Sequence, residues 1–154
     1  MHVEEIMTKA PVSVRPGDSL ATAAWRMWEA DCGCLPVVAD DGSERVVGVI
    51  TDRDVCMAGC FQARPLADIP VEHAMSRDVR TCRPGDALAD VESTLSDAHL
   101  RRLPVVDEAG RLLGIVSMAD LAGEAARERN ARRPEISEAE IGTTLARICE
   151  PRAA

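Results

Sequence analysis

Four short blocks of this chain occur twice, in the same order and at a nearly constant separation. Met7-Thr8 answers Met75-Ser76, and Arg15-Pro16-Gly17-Asp18-Ser19-Leu20 answers Arg83-Pro84-Gly85-Asp86-Ala87-Leu88. Leu35-Pro36-Val37-Val38 answers Leu103-Pro104-Val105-Val106, all at an offset of 68 residues, and Gly48-Val49-Ile50-Thr51 then answers Gly114-Ile115-Val116-Ser117 at 66. The two lost residues fall between Asp40-Asp41-Gly42-Ser43-Glu44 and Glu108-Ala109-Gly110, where a hairpin turn tolerates a change of length. Four blocks in register mean a tandem duplication. Whatever one copy folds into, the other folds into as well.

Each copy reads as β-α-β-β-α. A short β-rich stretch (Val12-Ser13-Val14; Arg80-Thr81-Cys82) precedes the Pro-Gly-Asp turn, and Asp18 or Asp86 is placed to cap the helix that follows. That helix carries Leu20, Ala24 and Met27, or Leu88, Val91 and Leu95, at the spacing of one buried face. Two apolar β-branched runs joined by an Asp/Gly turn then read as a hairpin, ending at Thr51 or Ser117, hydroxyls suited to start another helix. The fold class is α/β (α+β). The first repeat is drawn at residues 1–62, a linker at 63–70, the second repeat at 71–123 and a helical C-terminal extension at 124–154. Units of about 60 residues are marginal alone, so the two repeats are expected to share a core.

In the extension, Ala125–Arg133 reads as a charged helix stopped by Pro134. Ser137-Glu138-Ala139-Glu140 is a capping box ahead of a helix with Ile141, Leu145 and Ile148 on one face. That stripe covers either its own domain or a second subunit.

Charge and composition remove several function classes. With 26 acidic against 18 basic residues the net charge is -8, which opposes bulk binding to nucleic acid or to an anionic membrane. One Phe, two Trp and no Tyr provide no stacking platform for single strands. No basic region followed by an apolar run opens the chain, and no stretch is long enough to span a bilayer, so a cytoplasmic protein is expected. The six cysteines read as reduced thiols. Cys32-x-Cys34 and Cys56-x3-Cys60 do not have the spacing of a structural zinc site, and His2, His73 and His99 follow no ligand pattern. Metal binding or redox activity of Cys32, Cys34, Cys56, Cys60 and Cys149 stays an open alternative. No catalytic triad or glycine-rich phosphate loop is present, and the repeats use almost all of the chain, so an enzyme is not expected.

The chemistry concentrates where the second strand of each hairpin ends. Gly48-Val49-Ile50-Thr51-Asp52-Arg53-Asp54 and Gly114-Ile115-Val116-Ser117-Met118-Ala119-Asp120 share a buried strand, a hydroxyl, two variable residues and an Asp. Helix N-terminal N–H groups and a hydroxyl suit an anion, and an Asp three residues on can accept from two vicinal ribose hydroxyls. The same residues equally form a helix cap. Both readings stand at this point.

Together, repeat and motif resemble the CBS-domain family, the cystathionine-β-synthase-type regulatory repeat, over residues 6–123. The resemblance implies a pseudo-two-fold pair of β-α-β-β-α units with clefts between the repeats that bind AMP, ADP, ATP or S-adenosylmethionine, with no cofactor required. It implies ribose contacts from Asp54 and Asp120, and phosphate or ribose contacts from Thr51 and Ser117. The base would lie near Val12 and Pro36 in one cleft and near Thr81 and Pro104 in the other. Within the family an arginine just before the Leu-Val-type strand pairs with phosphate. Arg102 matches that position, with Arg101 beside it, whereas the first copy has Cys34 there. The cleft with Arg101, Arg102, Ser117 and Asp120 is therefore expected to be the better nucleotide site, the bland alternative being two solvated surface arginines. In the first copy Asp52 adds negative charge, so a neutral or cationic adenosine ligand, or none, is expected. The resemblance further implies a non-catalytic regulatory sensor, a homodimer formed through its helices, and a regulated protein the sequence does not name. The rival is a ligand-free structural or partner-interaction module, and behind it a metal or thiol redox sensor.

Overall fold

The computed structural model describes residues 1–132 and 134–151. In chain order the elements are α1 (Val3–Ile6), β1 (Thr8–Lys9), α2 (Leu20–Glu29), β2 (Cys34–Val38), β3 (Val46–Thr51) and α3 (Asp52–Gln62). Two short 3-10 turns at Leu66–Asp68 and Val71–His73 lead to α4 (Leu88–Asp97), β4 (Arg102–Val106), β5 (Leu112–Ser117), α5 (Met118–Arg127) and α6 (Glu138–Ile148). The duplication is thus visible as two α-β-β-α runs. Two compact units form. One comprises residues 10–79 with 107–112, the other residues 1–9, 80–106 and 113–154.

The unit built on the first repeat has an antiparallel hairpin of β2 and β3, with Leu35 opposite Ile50 and Pro36 opposite Val49. Its core holds Val14, Leu20, Leu35, Val37, Ile50 and Ile69. The 63–70 segment does more than connect. Ile69 is wholly buried, and its carbonyl accepts from Leu20 N–H at 2.8 Å. Farther on, Ser76 and Val49 exchange two backbone hydrogen bonds of 2.9 and 3.0 Å. Residues 71–79, which begin the second copy in sequence, therefore complete this unit.

The other unit is built the same way on the second repeat. Its sheet runs β1-β5-β4, with Thr8 opposite Ile115 and Lys9 opposite Gly114. The head of the chain thus supplies a strand here, and Val3 N–H also donates to Asp86 O at 3.0 Å. A glycine explains each close approach. A Cβ on Gly114 would stand 2.9 Å from Thr8 O and 2.7 Å from Met7 Sδ; one on Gly48 would stand 3.0 Å from Ser76 O and 2.8 Å from Met75 Sδ. The repeated Met-Thr/Ser and Gly motifs are the two sides of one contact.

Several local expectations are corrected. Asp18 and Asp86 do not cap helices: their Oδ2 atoms accept from Arg15 N–H at 2.9 Å and Arg83 N–H at 2.7 Å, closing the Arg-Pro-Gly-Asp turn. Ser19 caps α2 by accepting from Thr22 N–H, and Ala87 stands at the N-cap of α4 with no side-chain bond. The leading β-rich stretches reduce to single parallel bridges, Val14 with Val37 and Cys82 with Val105, because the turn follows at once. The helix expected over Ala125–Arg133 is instead the end of α5, which stops at Arg127. Glu128 caps it, and the Glu128 carboxylate accepts from Glu135 N–H at 2.6 Å. Arg133 and residues 152–154 lie outside the described residues.

The stripe of α6 covers its own unit. Ile141 and Ile148 are buried in one core with Val91, Leu95, Leu121 and Ile136, while Leu145 points outward. Two polar ties hold the helix on α4: Thr144 Oγ1 donates to Glu92, and Arg147 pairs with Asp97 at 2.9 Å. No helix among the described residues is long and apolar enough to cross a membrane.

Candidate functional site

Both hydroxyl-x-x-Asp motifs stand where a strand feeds directly into a helix. In the second-repeat unit Ser117 is the N-cap of α5. Its N–H and Oγ–H both donate to Asp120 Oδ2, at 2.8 and 2.6 Å, and Asp120 N–H donates back to Ser117 Oγ at 3.3 Å. In the first-repeat unit Thr51 does the same with Asp54, at 2.9, 2.7 and 3.2 Å. The capping reading is therefore correct as geometry. It does not use up the carboxylate. Oδ2 takes every bond, and Oδ1 of each half-buried Asp accepts none among the described residues.

The strand before each motif aligns the remaining candidates. Cys82 N–H donates to Pro104 O at 3.1 Å, which sets exposed Thr81 beside the β4 chain, with Pro104 buried. In the first unit Val14 N–H donates to Pro36 O at 3.1 Å, and Val12 is exposed two residues earlier. Met118 N–H donates to Arg101 O at 3.0 Å, and Asp52 N–H to Gly33 O at 3.1 Å, so the start of β4 or β2 is tied to the helix N-terminus. Arg102, Ser117 and Asp120 are thereby drawn together. In the first unit Cys34 stands opposite Thr51 instead.

A left-handed residue precedes this region in each copy. Asp31 and His99, equivalent positions 68 apart, sit at φ 48° and 53°, a left-handed conformation that costs a residue with a Cβ about 1–2 kcal/mol. The same strain recurs in both copies three residues before the strand that begins at Cys34 or Arg102. Such strain is retained where the surroundings need the geometry. His99 Nδ1 is buried there without a hydrogen-bond partner among the described residues.

The two arginines separate. Arg101 is exposed and its Nη2 donates to Cys149 Sγ at 3.8 Å, so its guanidinium turns to the end of α6. Arg102 is half-buried, and its side chain has no hydrogen bond or ion pair among the described residues. The Arg102 guanidinium thus stands without a carboxylate partner among the described residues of a chain whose net charge is -8. Next to Thr81, burial pushes the Cys82 thiol up to about 12, with the Asp86 charge adding to it, so this cysteine stays protonated.

Sequence reasoning did not anticipate that Thr8-Lys9 runs beside β5, the strand ending in Ser117, or that Ser76 runs beside β3. The signal was present as the matched Met-Thr/Ser and Gly pairs, which only an extended partner lying on the glycine explains. The cysteines form no disulfide with one another. Among the described residues, no three His, Cys, Asp or Glu side chains gather as a metal site.

A family profile described as CBS domain matches residues 3–59 and again 67–127. An uncharacterized 17.7 kDa protein of Acidianus ambivalens is 36% identical over 120 residues, covering 78% of this chain and 70% of that protein. The CBS domain pair of protein MJ0100, crystallised with 5-methylthioadenosine and S-adenosyl-L-methionine, superposes with a TM-score of 0.71 at 26% identity, covering 86% of this chain and 98% of that one. CBSX2 in complex with AMP superposes with a TM-score of 0.72 at 27% identity, covering 84% and 98%.

Proposed function

The chain belongs to the CBS-domain family, with two copies of the domain in tandem, and on that premise we propose that it is a non-catalytic regulatory module whose second-repeat unit binds an adenosine nucleotide. One observation carries the reading: Arg102, without a protein partner, stands with the N-terminus of α5 and with an Asp120 whose Oδ1 is unused. In the assignment that follows, Asp120 Oδ1 accepts from the ribose hydroxyls and the Arg102 fork holds phosphate, aided by the α5 dipole. Aliphatic side chains and backbone near Thr81 and Pro104 hold the base. The AMP and S-adenosyl-L-methionine complexes of CBSX2 and MJ0100 support the ligand class.

In the first-repeat unit the position of Arg102 is Cys34, and exposed Asp52 follows Thr51. That favours an adenosine without phosphate, such as S-adenosylmethionine, between Val12, Pro36, Thr51 and Asp54.

Calorimetric titration of AMP and ATP into the wild type and Arg102→Ala tests the assignment. A charged hydrogen bond is worth about 1.5–3 kcal/mol, so affinity for both nucleotides should fall at least about tenfold. Unchanged affinity removes Arg102 from the site.

A further inference from the structure

The end of α6 meets the turn that leads into Arg102. Arg147 pairs with Asp97 at 2.9 Å, and Arg101 Nη2 donates to Cys149 Sγ at 3.8 Å. Between these two ties Ile148 is buried in the core of the unit. Asp97 and Arg101 bracket Ala98, His99 and Leu100, the turn from α4 into β4. That turn closes α4 in a Schellman pattern: His99 N–H donates to Ser96 O at 3.3 Å and Leu100 N–H to Leu95 O at 2.9 Å. Glycine is the usual occupant of its left-handed position, which here holds His99. On the other side Met118 N–H ties Arg101 O to the start of α5 at 3.0 Å. The residue before Arg102 is thus held by α5 through its backbone and by α6 through its side chain.

The first copy is an internal control. It has the same turn, with Asp31 N–H donating to Trp28 O at 3.3 Å and Cys32 N–H to Met27 O at 3.0 Å, and the same tie from Asp52 N–H to Gly33 O. It lacks both side-chain ties. At the offset of 68, Asp97 corresponds to Glu29, which has no ion-pair partner among the described residues, and Arg101 corresponds to Gly33, which has no side chain. That copy also carries Cys34 in place of Arg102. Arg147 and Asp97 are 55 and 69% exposed, and an ion pair so open to water adds little to stability. Buried Ile141, Thr144 and Ile148 seat α6 without it.

We propose that Arg147 and Cys149 are positioning residues for the nucleotide site: through Asp97 and Arg101 they hold the turn that sets Arg102 toward phosphate. This role rests on the adenosine-nucleotide reading of the second-repeat unit. Linkage makes it reciprocal, so a nucleotide held by Arg102 steadies the last turn of α6 by the same factor.

The full-length wild type is compared with three variants. Arg147→Ala/Cys149→Ala removes both ties and keeps the buried stripe, Arg147→Lys/Cys149→Ser keeps a cation and a hydrogen-bonding group, and Glu140→Ala alters the far end of α6. Circular dichroism checks each fold. AMP and ATP are titrated by calorimetry, and amide hydrogen exchange in the last turn of α6 is followed by mass spectrometry with and without nucleotide. The double-alanine variant should bind about three- to tenfold more weakly, with the other two within about twofold of wild type. Bound nucleotide should slow exchange in the last turn at least about threefold in the wild type and not in the double-alanine variant. Three results overturn the positioning role and leave the nucleotide reading standing: double-alanine binding within about twofold of wild type; a loss shared by Glu140→Ala or by the Lys/Ser variant; or wild-type exchange indifferent to bound nucleotide. A wild type that binds neither AMP nor ATP overturns both.

Discussion

Replacing Asp120 with Ala separates the two roles open to its carboxylate. As a cap, Asp120 Oδ2 accepts from Ser117 N–H and Oγ–H at 2.8 and 2.6 Å and places a negative charge in the first turn of α5. Losing that arrangement costs about 1–2 kcal/mol. For a chain of this length each kcal/mol moves Tm by about 2–4 °C, so the melting point should fall by about 2–8 °C. As a ribose acceptor, Oδ1 contributes about 1.5–3 kcal/mol per charged hydrogen bond, so AMP affinity should fall by a factor of about 10–150. Glu140→Ala is the matched control. Glu140 forms the same reciprocal box with Ser137, at 2.7 Å for both donors, on α6. It should lower Tm comparably and leave affinity alone. The assays are differential scanning calorimetry and isothermal titration on the three proteins. If Asp120→Ala loses stability like Glu140→Ala yet binds AMP within about twofold of wild type, the ligand role is refuted and Asp120 is only a cap.

Gly114→Ala sets a Cβ 2.9 Å from the fixed Thr8 carbonyl and should cost about 1–3 kcal/mol in urea unfolding; Gly17→Ala, with open space around it, is the neutral comparison. Equal stability of the two variants would mean that the chain head does not lie on β5. Ile148→Ala, in the core beneath α6, should cost about 2–4 kcal/mol without changing the mass seen by light scattering, and a change of mass would assign α6 to an interface between copies. Exposed Cys56, Cys60 and Cys149 should alkylate at pH 8 while Cys82 resists until the chain unfolds. Because the Cys82 pKa is raised in the fold, to about 12 from 9.0, its contribution to stability is complete below pH 9 and is lost as pH rises toward 12. Alkylation of Cys82 at the rate of Cys56 in the native chain would contradict its burial.

The duplication made the order of elements legible because each copy confirmed the other. Hydroxyl-x-x-Asp was legible as a helix start for a local reason: a cap is made by residues three apart. Position by position, the difference between Arg102 and Cys34 was also readable. What escaped was non-local. Asp18 looked like a cap because it precedes a helix, but Ser19 is nearer to Thr22 N–H and takes that role, leaving Asp18 to close the turn. Residues 71–79 begin the second copy in sequence, yet Val71 and Glu72 donate to Asp18 O and Pro16 O, and Ser76 pairs with Val49. Only the pairing of a glycine with an approaching strand, a contact across about 30 residues or more than 100, could have revealed this. The difference between Arg101 and Arg102 likewise depends on α6, whose Cys149 meets one and not the other.

Adenosine-nucleotide binding is tested most directly by melting the wild-type chain with AMP, ADP, ATP and S-adenosylmethionine, each at rising concentration. A ligand at ~100 times its Kd stabilises by roughly 2.7 kcal/mol, which for a chain of this length raises Tm by about 5–11 °C. At least one of the four should produce a saturable rise of that size, with a phosphate-bearing ligand losing its effect in Arg102→Ala. Melting curves that stay flat with all four would contradict the account.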